Sequence, residues 1–337
     1  MFFFLFSISS AEEFKKVTPD KKVNLPEDMY FKKDYRVQWW YFTGHLWDEE
    51  KNEFGYELTF FTVNVNKRKF KSKFGLKTIY ITHFAITDVK NKKFHFSDKA
   101  DRGAFNFAGA DTDRLNLWIG KTKINGSLNR IEITGVDDKK NIKLTLKPLK
   151  PYILNGINGY SRKKSDDPLD ASLYFSNPRL KTEGKLTING KTVNVKGYTW
   201  FDREIFSHYK EKGWDWFAVQ LDNNTEFMIY LVRDKKGNID SYSSGTFIYP
   251  DGSYKILSLK DFKVKNLRFF RSRKTGAKYP SRWLISIPSE KIDVIITPLV
   301  KDQEVIAYYT TGNYYWEGTC KVEGSQTGRA YVEMTGY

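Results

Sequence analysis

The chain has 337 residues, 17% of them aromatic with 21 Tyr, 26 Phe and 9 Trp against 4 Met, and a formal charge of +16. This length accommodates two domains with cores of their own, and the surplus of aromatic residues favours pleated, half-buried surfaces over helices. The single cysteine, Cys320, excludes an intramolecular disulfide framework.

In chain order, Met1-Phe2-Phe3-Phe4-Leu5-Phe6-Ser7-Ile8-Ser9-Ser10-Ala11 is a short apolar run that closes on small residues. It predicts a secretory signal over residues 1–11, and therefore a periplasmic or secreted protein, although no basic residue precedes the run. No later stretch approaches the ~20 apolar residues of a membrane helix. Alternating segments then recur at residues 57–63, 78–86, 142–146 and 283–287. Asn125-Gly126, Asn189-Gly190 and Asp251-Gly252 between such segments are two-residue hairpin signals. No helical periodicity longer than about two turns competes. The expected architecture is all-β, built as meandering barrels or sandwiches.

The phrase Val37-Gln38-Trp39-Trp40-Tyr41-Phe42-Thr43-Gly44-His45-Leu46 returns in altered form as Lys212-Gly213-Trp214-Asp215-Trp216-Phe217-Ala218-Val219-Gln220-Leu221. Further echoes keep the same order: Glu57-Leu58-Thr59-Phe60-Phe61 with Glu226-Phe227-Met228-Ile229-Tyr230, then Leu144-Thr145-Leu146-Lys147-Pro148-Leu149 with Ile295-Ile296-Thr297-Pro298-Leu299. The segment 195–202 is answered by Val322-Glu323-Gly324 and Tyr331-Val332-Glu333. An internal duplication follows, with one barrel over residues 25–205, a second over 206–337 and a connector near 203–212. Each half has strands enough to close around a cavity for an apolar ligand.

Basic residues cluster: residues 263–282 hold eight Lys or Arg and no acid, and residues 64–77 hold six and no acid. Neither run carries a nucleic-acid-binding signature, so nucleic acid is not an expected partner. A lysine-rich solvated face explains them, as does an anionic membrane surface met by Lys67, Arg68, Lys69, Arg268, Arg271 and Arg273. The four histidines, His45, His83, His95 and His208, show no metal-ligand spacing, and no phosphate loop or serine elbow is present. No metal or cofactor is expected.

Gln38-Trp39-Trp40-Tyr41, Thr82-His83-Phe84-Ala85-Ile86-Thr87-Asp88, Trp200-Phe201-Asp202-Arg203-Glu204, Gly213-Trp214-Asp215-Trp216-Phe217 and the closing Tyr331-Val332-Glu333-Met334-Thr335-Gly336-Tyr337 resemble a secreted lipocalin-like family. That family is related to carotenoid 1,2-hydratase, also called hydroxyneurosporene synthase, and includes the AttH-type two-barrel proteins. The resemblance covers residues 25–337. It implies two tandem lipocalin-like antiparallel β-barrels and a hydrophobic ligand, an isoprenoid or another lipid. Distant members hydrate a terminal double bond of acyclic carotenoids, and some fungal relatives guide pericyclic ring closures.

The residues permit such chemistry. In a strand, Tyr198, Trp200, Asp202 and Glu204 share one face. Hydrating an isolated olefin needs a proton donor, and burial raises a carboxyl pKa so that the acid form persists near neutrality. Asp202 is therefore the candidate acid, with Tyr198 and Trp200 as candidate stabilisers of the cation. A structural Asp202, paired with Arg203 or Arg179 or capping the inter-domain turn, remains the alternative. Candidates for ligand contact are Trp39, Tyr41, Glu57, His83, Trp214, Asp215, Trp216 and Glu226. Asp215 stands on an apolar face where the first copy has Trp40, which requires a partner for its carboxylate. Glu57 and Glu226 read as matching positions of the two copies, so that architecture explains both. His83 lacks a counterpart, and base, ligand contact and core histidine are all open to it. Two functions stay in view, an enzyme of the hydro-lyase type and a non-catalytic carrier of lipid or hydrophobic metabolite.

Overall fold

The computed structural model describes residues 13–67, 75–207, 213–234 and 236–337. The proposed signal segment, Arg68, Lys69 and residues 208–212 of the connector lie outside the described residues. The first sheet holds β1 (Val37–Asp48), β2 (Glu53–Asn64), β3 (Thr78–Asp88), β4 (Lys93–Asp101), β5 (Ala108–Ala110), β6 (Leu115–Ile119), β7 (Thr122–Ser127), β8 (Arg130–Asp137), β9 (Lys140–Pro148), β10 (Ile153–Leu154), β11 (Tyr160–Arg162), β12 (Ala171–Ile188) and β13 (Lys191–Phe206). The second holds β14 (Gly213–Leu221), β15 (Glu226–Arg233), β16 (Ser244–Ile248), β17 (Tyr254–Ser258), β18 (Lys263–Arg271), β19 (Lys278–Ile287), β20 (Ile292–Pro298), β21 (Glu304–Ala307), β22 (Asn313–Gly324) and β23 (Gly328–Thr335). No helix among the described residues is long and apolar enough to cross a membrane.

The duplication is explicit in the strand order. The first sheet runs β4-β3-β2-β1-β13-β12-β9-β8-β7 and continues into β6 and β5, while the second runs β17-β16-β15-β14-β23-β22-β20-β19-β18. Each sheet is antiparallel and curls onto itself into a barrel, as the Lys99 Nζ of β4 shows by donating 2.8 Å across to the carbonyl of Val136 on β8. Alternation then decides where side chains go. Even positions of β1 and β2, such as Trp40, Phe42, Leu58 and Phe60, join Leu117, Ile133, Leu144 and Phe201 in a buried cluster inside the first barrel. Phe217, Val219, Trp283, Ile285, Trp316 and Val332 fill the second in the same way. Where the strand count had suggested a ligand cavity within each barrel, large aromatic and branched side chains of the described residues pack both interiors.

Register corrects three readings of the sequence. Asn125-Gly126 lies within β7, opposite Asn116 and Leu115, and the chain turns later, between Ser127 and Arg130. Glycine is required there for close approach: a Cβ on Gly126 would stand 2.1 Å from the Arg130 carbonyl oxygen. Glu57 and Glu226 are also not equivalent. Thr43 pairs with Glu57, and its counterpart Ala218 pairs with Met228, so Glu226 matches Gly55. The first hairpin is longer by two residues on β1, and a two-residue slip preserves the face, which is why the sequence hid it. Val322-Glu323-Gly324 ends β22, the counterpart of β12, so of that echo only Tyr331-Val332-Glu333 corresponds to β13.

The face of each central hairpin that turns away from its own core, odd positions of β1 and even positions of β14, points at the other barrel. Tyr41, Tyr174, Trp200, Trp216, Ala218, Met228 and Tyr331 form a buried cluster there. Polar clamps surround it. Lys150 and Arg179 of the first barrel both reach Glu226 of the second, Lys150 at 2.6 Å, and Arg329 holds Glu53 through two contacts of 2.6 and 2.9 Å. Gly55 lets the sheets close, since a Cβ there would meet Thr319 at 2.7 Å.

Candidate functional site

Between the barrels the two outer faces leave a cavity of about 520 Å³. Its wall takes Val37, Trp39, Tyr41, Thr59, Phe61, Val63, Ile79, Ile81 and His83 from β1, β2 and β3, with Trp214, Trp216 and Tyr230 from β14 and β15. Asp202, Glu204, Glu317 and Glu333 also line it, the first three buried and Glu333 part-buried. The working pocket thus belongs to neither barrel alone.

Asp202 and Glu333 hold equivalent positions of the duplicated module, opposite Tyr41 on β1 and opposite Trp216 on β14. The echo that ends on Asp202 in one copy and Glu333 in the other is in space a pair of carboxyl groups, one from each barrel. Asp202 accepts from Tyr174 Oη at 2.7 Å, Trp200 Nε1 at 2.8 Å and Ser176 Oγ. Burial nonetheless outweighs these bonds and pushes its pKa up to about 7, with Glu204 adding repulsion. A carboxylate offers about four lone-pair sites, so three donors leave one for a proton or a ligand. Glu333 is raised to about 8 by burial and by the charges of Glu204 and Asp202, against a hydrogen bond from Trp214. Glu317, which accepts from Tyr41 Oη, is pushed up by burial and by Glu57 and Glu333. Behind the wall, Glu57 accepts from Thr59 and leaves Oε2 without a partner; burial raises it to about 8.

His83 faces the cavity from β3, with Tyr315 Oη 2.7 Å from Nδ1 and Thr310 Oγ1 3.3 Å from Nε2. Burial lowers its pKa to about 3, so it is a neutral imidazole and not a proton donor. Lys163 supplies the nearby positive charge: its Nζ lies 2.8 Å from Glu204, 4.8 Å from the Tyr174 ring centroid and 4.6 Å from that of Tyr230.

Six of the residues read from the sequence meet at this cavity: Trp39, Tyr41, His83, Asp202, Trp214 and Trp216. Trp200 stands behind Asp202 as a positioning residue. Tyr198 shares the predicted face but lies outside the cavity lining, half-exposed, with its ring 5.2 Å from the Arg179 guanidinium in a second, smaller cleft; it does not flank a cation formed at Asp202. Asp215 points into the end of the second barrel, 3.2 Å from Arg233 Nη2 and 2.8 Å from Tyr337 Oη, and does not line the cavity. Glu226 belongs to the inter-barrel clamp. Asp202 pairs with neither arginine offered as its structural partner. Arg203 faces the other way, 3.7 Å from the Trp40 ring centroid, and donates to carbonyls of Asp28, Tyr30, Trp39 and Glu204. Glu317, Tyr174, Tyr315 and Tyr230 were not singled out. For Glu317 a signal existed: Tyr315, Glu317 and Thr319 alternate on the face of β22 opposite Trp316 and Cys320, an acid where a barrel-to-barrel face needs apolar groups. Cys320 is buried filler in the second core, and burial raises its thiol pKa. Arg268 and Arg271 lie on edge strand β18, with Arg273 in the turn that follows.

A stability prediction follows from these acids. Glu57 and Glu333 stay protonated in the fold to about 8 yet ionise near 4.5 when unfolded, so their contribution is complete below 4.5 and is lost as pH rises through about 8. His83 works in the opposite sense, but only below its unfolded value of about 6.5. From about pH 6.5 to about pH 8 the unfolding free energy should therefore fall, by roughly 1.4 kcal/mol per pH unit for each carboxyl held protonated. Urea denaturation of Glu333→Gln should show a shallower fall than the wild type, and equal slopes would show that Glu333 is ionised in the native state.

The AttH-like family profile matches residues 16–337 of the chain. A solved structure assigned to AttH, from Nitrosomonas europaea, is 28% identical with a TM-score of 0.87, covering 96% of this chain and 100% of its own. Kievitone hydratase from Nectria haematococca is similar at 15% identity and a TM-score of 0.74, covering 96% of this chain and 97% of its own. CghA, solved with Sch210972, is similar at 10% identity and a TM-score of 0.55, covering 95% and 94%. No curated protein matches the chain. The shared architecture is a pair of lipocalin-like barrels, and with the profile match across nearly its whole length the chain belongs to the AttH-like family.

Proposed function

We propose that the protein binds an unsaturated apolar molecule between its barrels and adds water to a double bond, without a cofactor. The observation that carries this reading is the pair Asp202 and Glu333, set together on an aromatic-lined cavity with pKa values raised to about 7 and about 8. Two carboxyl groups held near neutrality at different values suit a general acid and a general base.

Glu333 in its acid form gives its proton to one olefinic carbon, and the π pair becomes the new C–H bond. The carbocation left on the neighbouring carbon is flanked by the ring faces of Trp39, Trp214, Trp216 and Tyr230. A water oxygen bonds to that carbon, and the proton it releases passes to the Asp202 carboxylate. The proton returns to Glu333 after product leaves, so the sum is the addition of one water. The likeness to kievitone hydratase supports the fold of this scheme, and the carboxyl pair supports its chemistry. The apolar start of the chain, residues 1–11, supports an exported location for it.

Incubation with farnesol in D2O, read by mass spectrometry, tests the proposal. The expected product has gained the elements of water, with one deuterium bound to carbon. If farnesol is retained by the protein yet recovered without hydration or carbon-bound deuterium, the reading as a carrier replaces this one.

A further inference from the structure

The charges along the cavity are graded. Its floor holds the buried Asp202, Glu204 and Glu317 with the part-buried Glu333, whereas Arg36 lines the exposed mouth beside Val37, Val63 and Ile79. Between them the wall is apolar and aromatic, from Trp39, Phe61, Ile81 and Trp214. The distance is set by β1, which runs from Val37 at the mouth to Tyr41 at the floor, about 13 Å at the usual rise per strand residue. The acids and Lys163 all have hydrogen-bond or ion-pair partners within the protein. The Arg36 guanidinium has none among the described residues; only its backbone is engaged, by the amide of Asn64.

The floor offers an anion no uncommitted cation among the described residues, since Lys163 is held by Glu204, whereas the guanidinium fork of Arg36 at the mouth attracts one, matching carboxylate or phosphate oxygens in pairs. The net charge of +16 adds to that attraction. We infer that the ligand is amphipathic, an unsaturated chain whose anionic head is held by Arg36 while its tail carries the reacting bond to the floor. The gradient admits one orientation. A neutral hydrocarbon would leave Arg36 unused, and an amine head would be drawn to the floor and displace the tail. This inference rests on the proposed function for what happens at the floor, but the head-group contact is separable from it.

Calorimetric titration of oleate against oleyl alcohol, and of farnesyl phosphate against farnesol, tests the head group at low ionic strength and submicellar concentration. In the wild type the anion should bind on the order of tenfold more tightly than the alcohol of the same chain. In Arg36→Gln that ratio should collapse to about one, while Arg36→Lys, a point charge without the fork, keeps part of it. Whichever pair shows the larger Arg36-dependent ratio identifies carboxylate or phosphate as the head. A wild-type ratio of one or less, a ratio unchanged in Arg36→Gln, or tighter binding of oleylamine than of oleate would each overturn the assignment. If the alcohols bind and the anions gain nothing, the head-group inference alone falls. If none of the ligands binds the wild type, the proposed function falls with it.

Discussion

Asp202→Asn should lower turnover by roughly 10²–10⁴-fold, the usual contribution of a positioned general acid or base, while leaving the cavity and its retained ligand in place. The reasoning is geometric. An asparagine keeps the shape and can still accept through its carbonyl oxygen, but its amide meets the donors of Ser176, Tyr174 or Trp200 and cannot carry a proton to or from the reacting carbon. Burial already raises the Asp202 pKa to about 7, so on the proposed reading the substitution removes a group able to exchange a proton near neutral pH. Farnesol turnover measured alongside its dissociation constant separates the outcomes. Lost turnover with unchanged affinity is expected, and full activity in Asp202→Asn would remove this residue from the chemistry. Glu333→Gln should lose turnover as well, and the alkaline limb of the wild-type pH profile should fall near its raised pKa of about 8.

The second large effect is on stability. Glu226→Ala should cost about 3–5 kcal/mol, because it leaves two buried cations without their acid. Lys150 Nζ reaches from the first barrel to Glu226 and to the carbonyls of Asn224 and Tyr249 in the second, at 2.6, 2.6 and 2.8 Å. Arg179 binds the other carboxylate oxygen and the Leu221 carbonyl. Burial pushes the Glu226 carboxyl up and both cations act against that shift, each of its oxygens meeting one of them. Urea denaturation would show the loss as a lower midpoint, and a change under about 1 kcal/mol would mean that the clamp is solvated and contributes as little as a surface pair. Because Glu226 lies outside the cavity, any activity lost with it reports on how the barrels are held together.

Much of this was legible in the chain, for reasons that can be named. Alternation over residues 57–63 and 78–86 matched β2 and β3 because one face of each strand is a barrel core and the other a barrel-to-barrel contact, both patterned with period two. Asn189-Gly190 marked a true two-residue turn, with φ of 52° and 79° at the two positions, between β12 and β13. Asn125-Gly126 did not, because sequence does not distinguish a glycine needed for a left-handed turn from one needed for close approach inside a strand. The same-face grouping of Trp200, Asp202 and Glu204 held, and so did the placement of Asp215 on an apolar face. The pocket itself was not legible. Period two says that Trp39, Tyr41, Trp214 and Trp216 share faces, but only the packing of one barrel on the other shows that those faces meet each other rather than water. For the same reason the echo that ends on Asp202 and Glu333 did not reveal that the duplication had placed the two acids on one cavity.

The central claim is that ligand binds between the barrels and not within either of them. A crystal structure of the protein soaked with farnesol addresses it most directly. The account predicts density between Tyr41, Trp216 and the carboxyl groups of Asp202 and Glu333, against the rings of Trp39 and Trp214. Density among Leu117, Ile133 and Phe60 inside the first barrel, or among Trp283, Ile285 and Val332 inside the second, would contradict it.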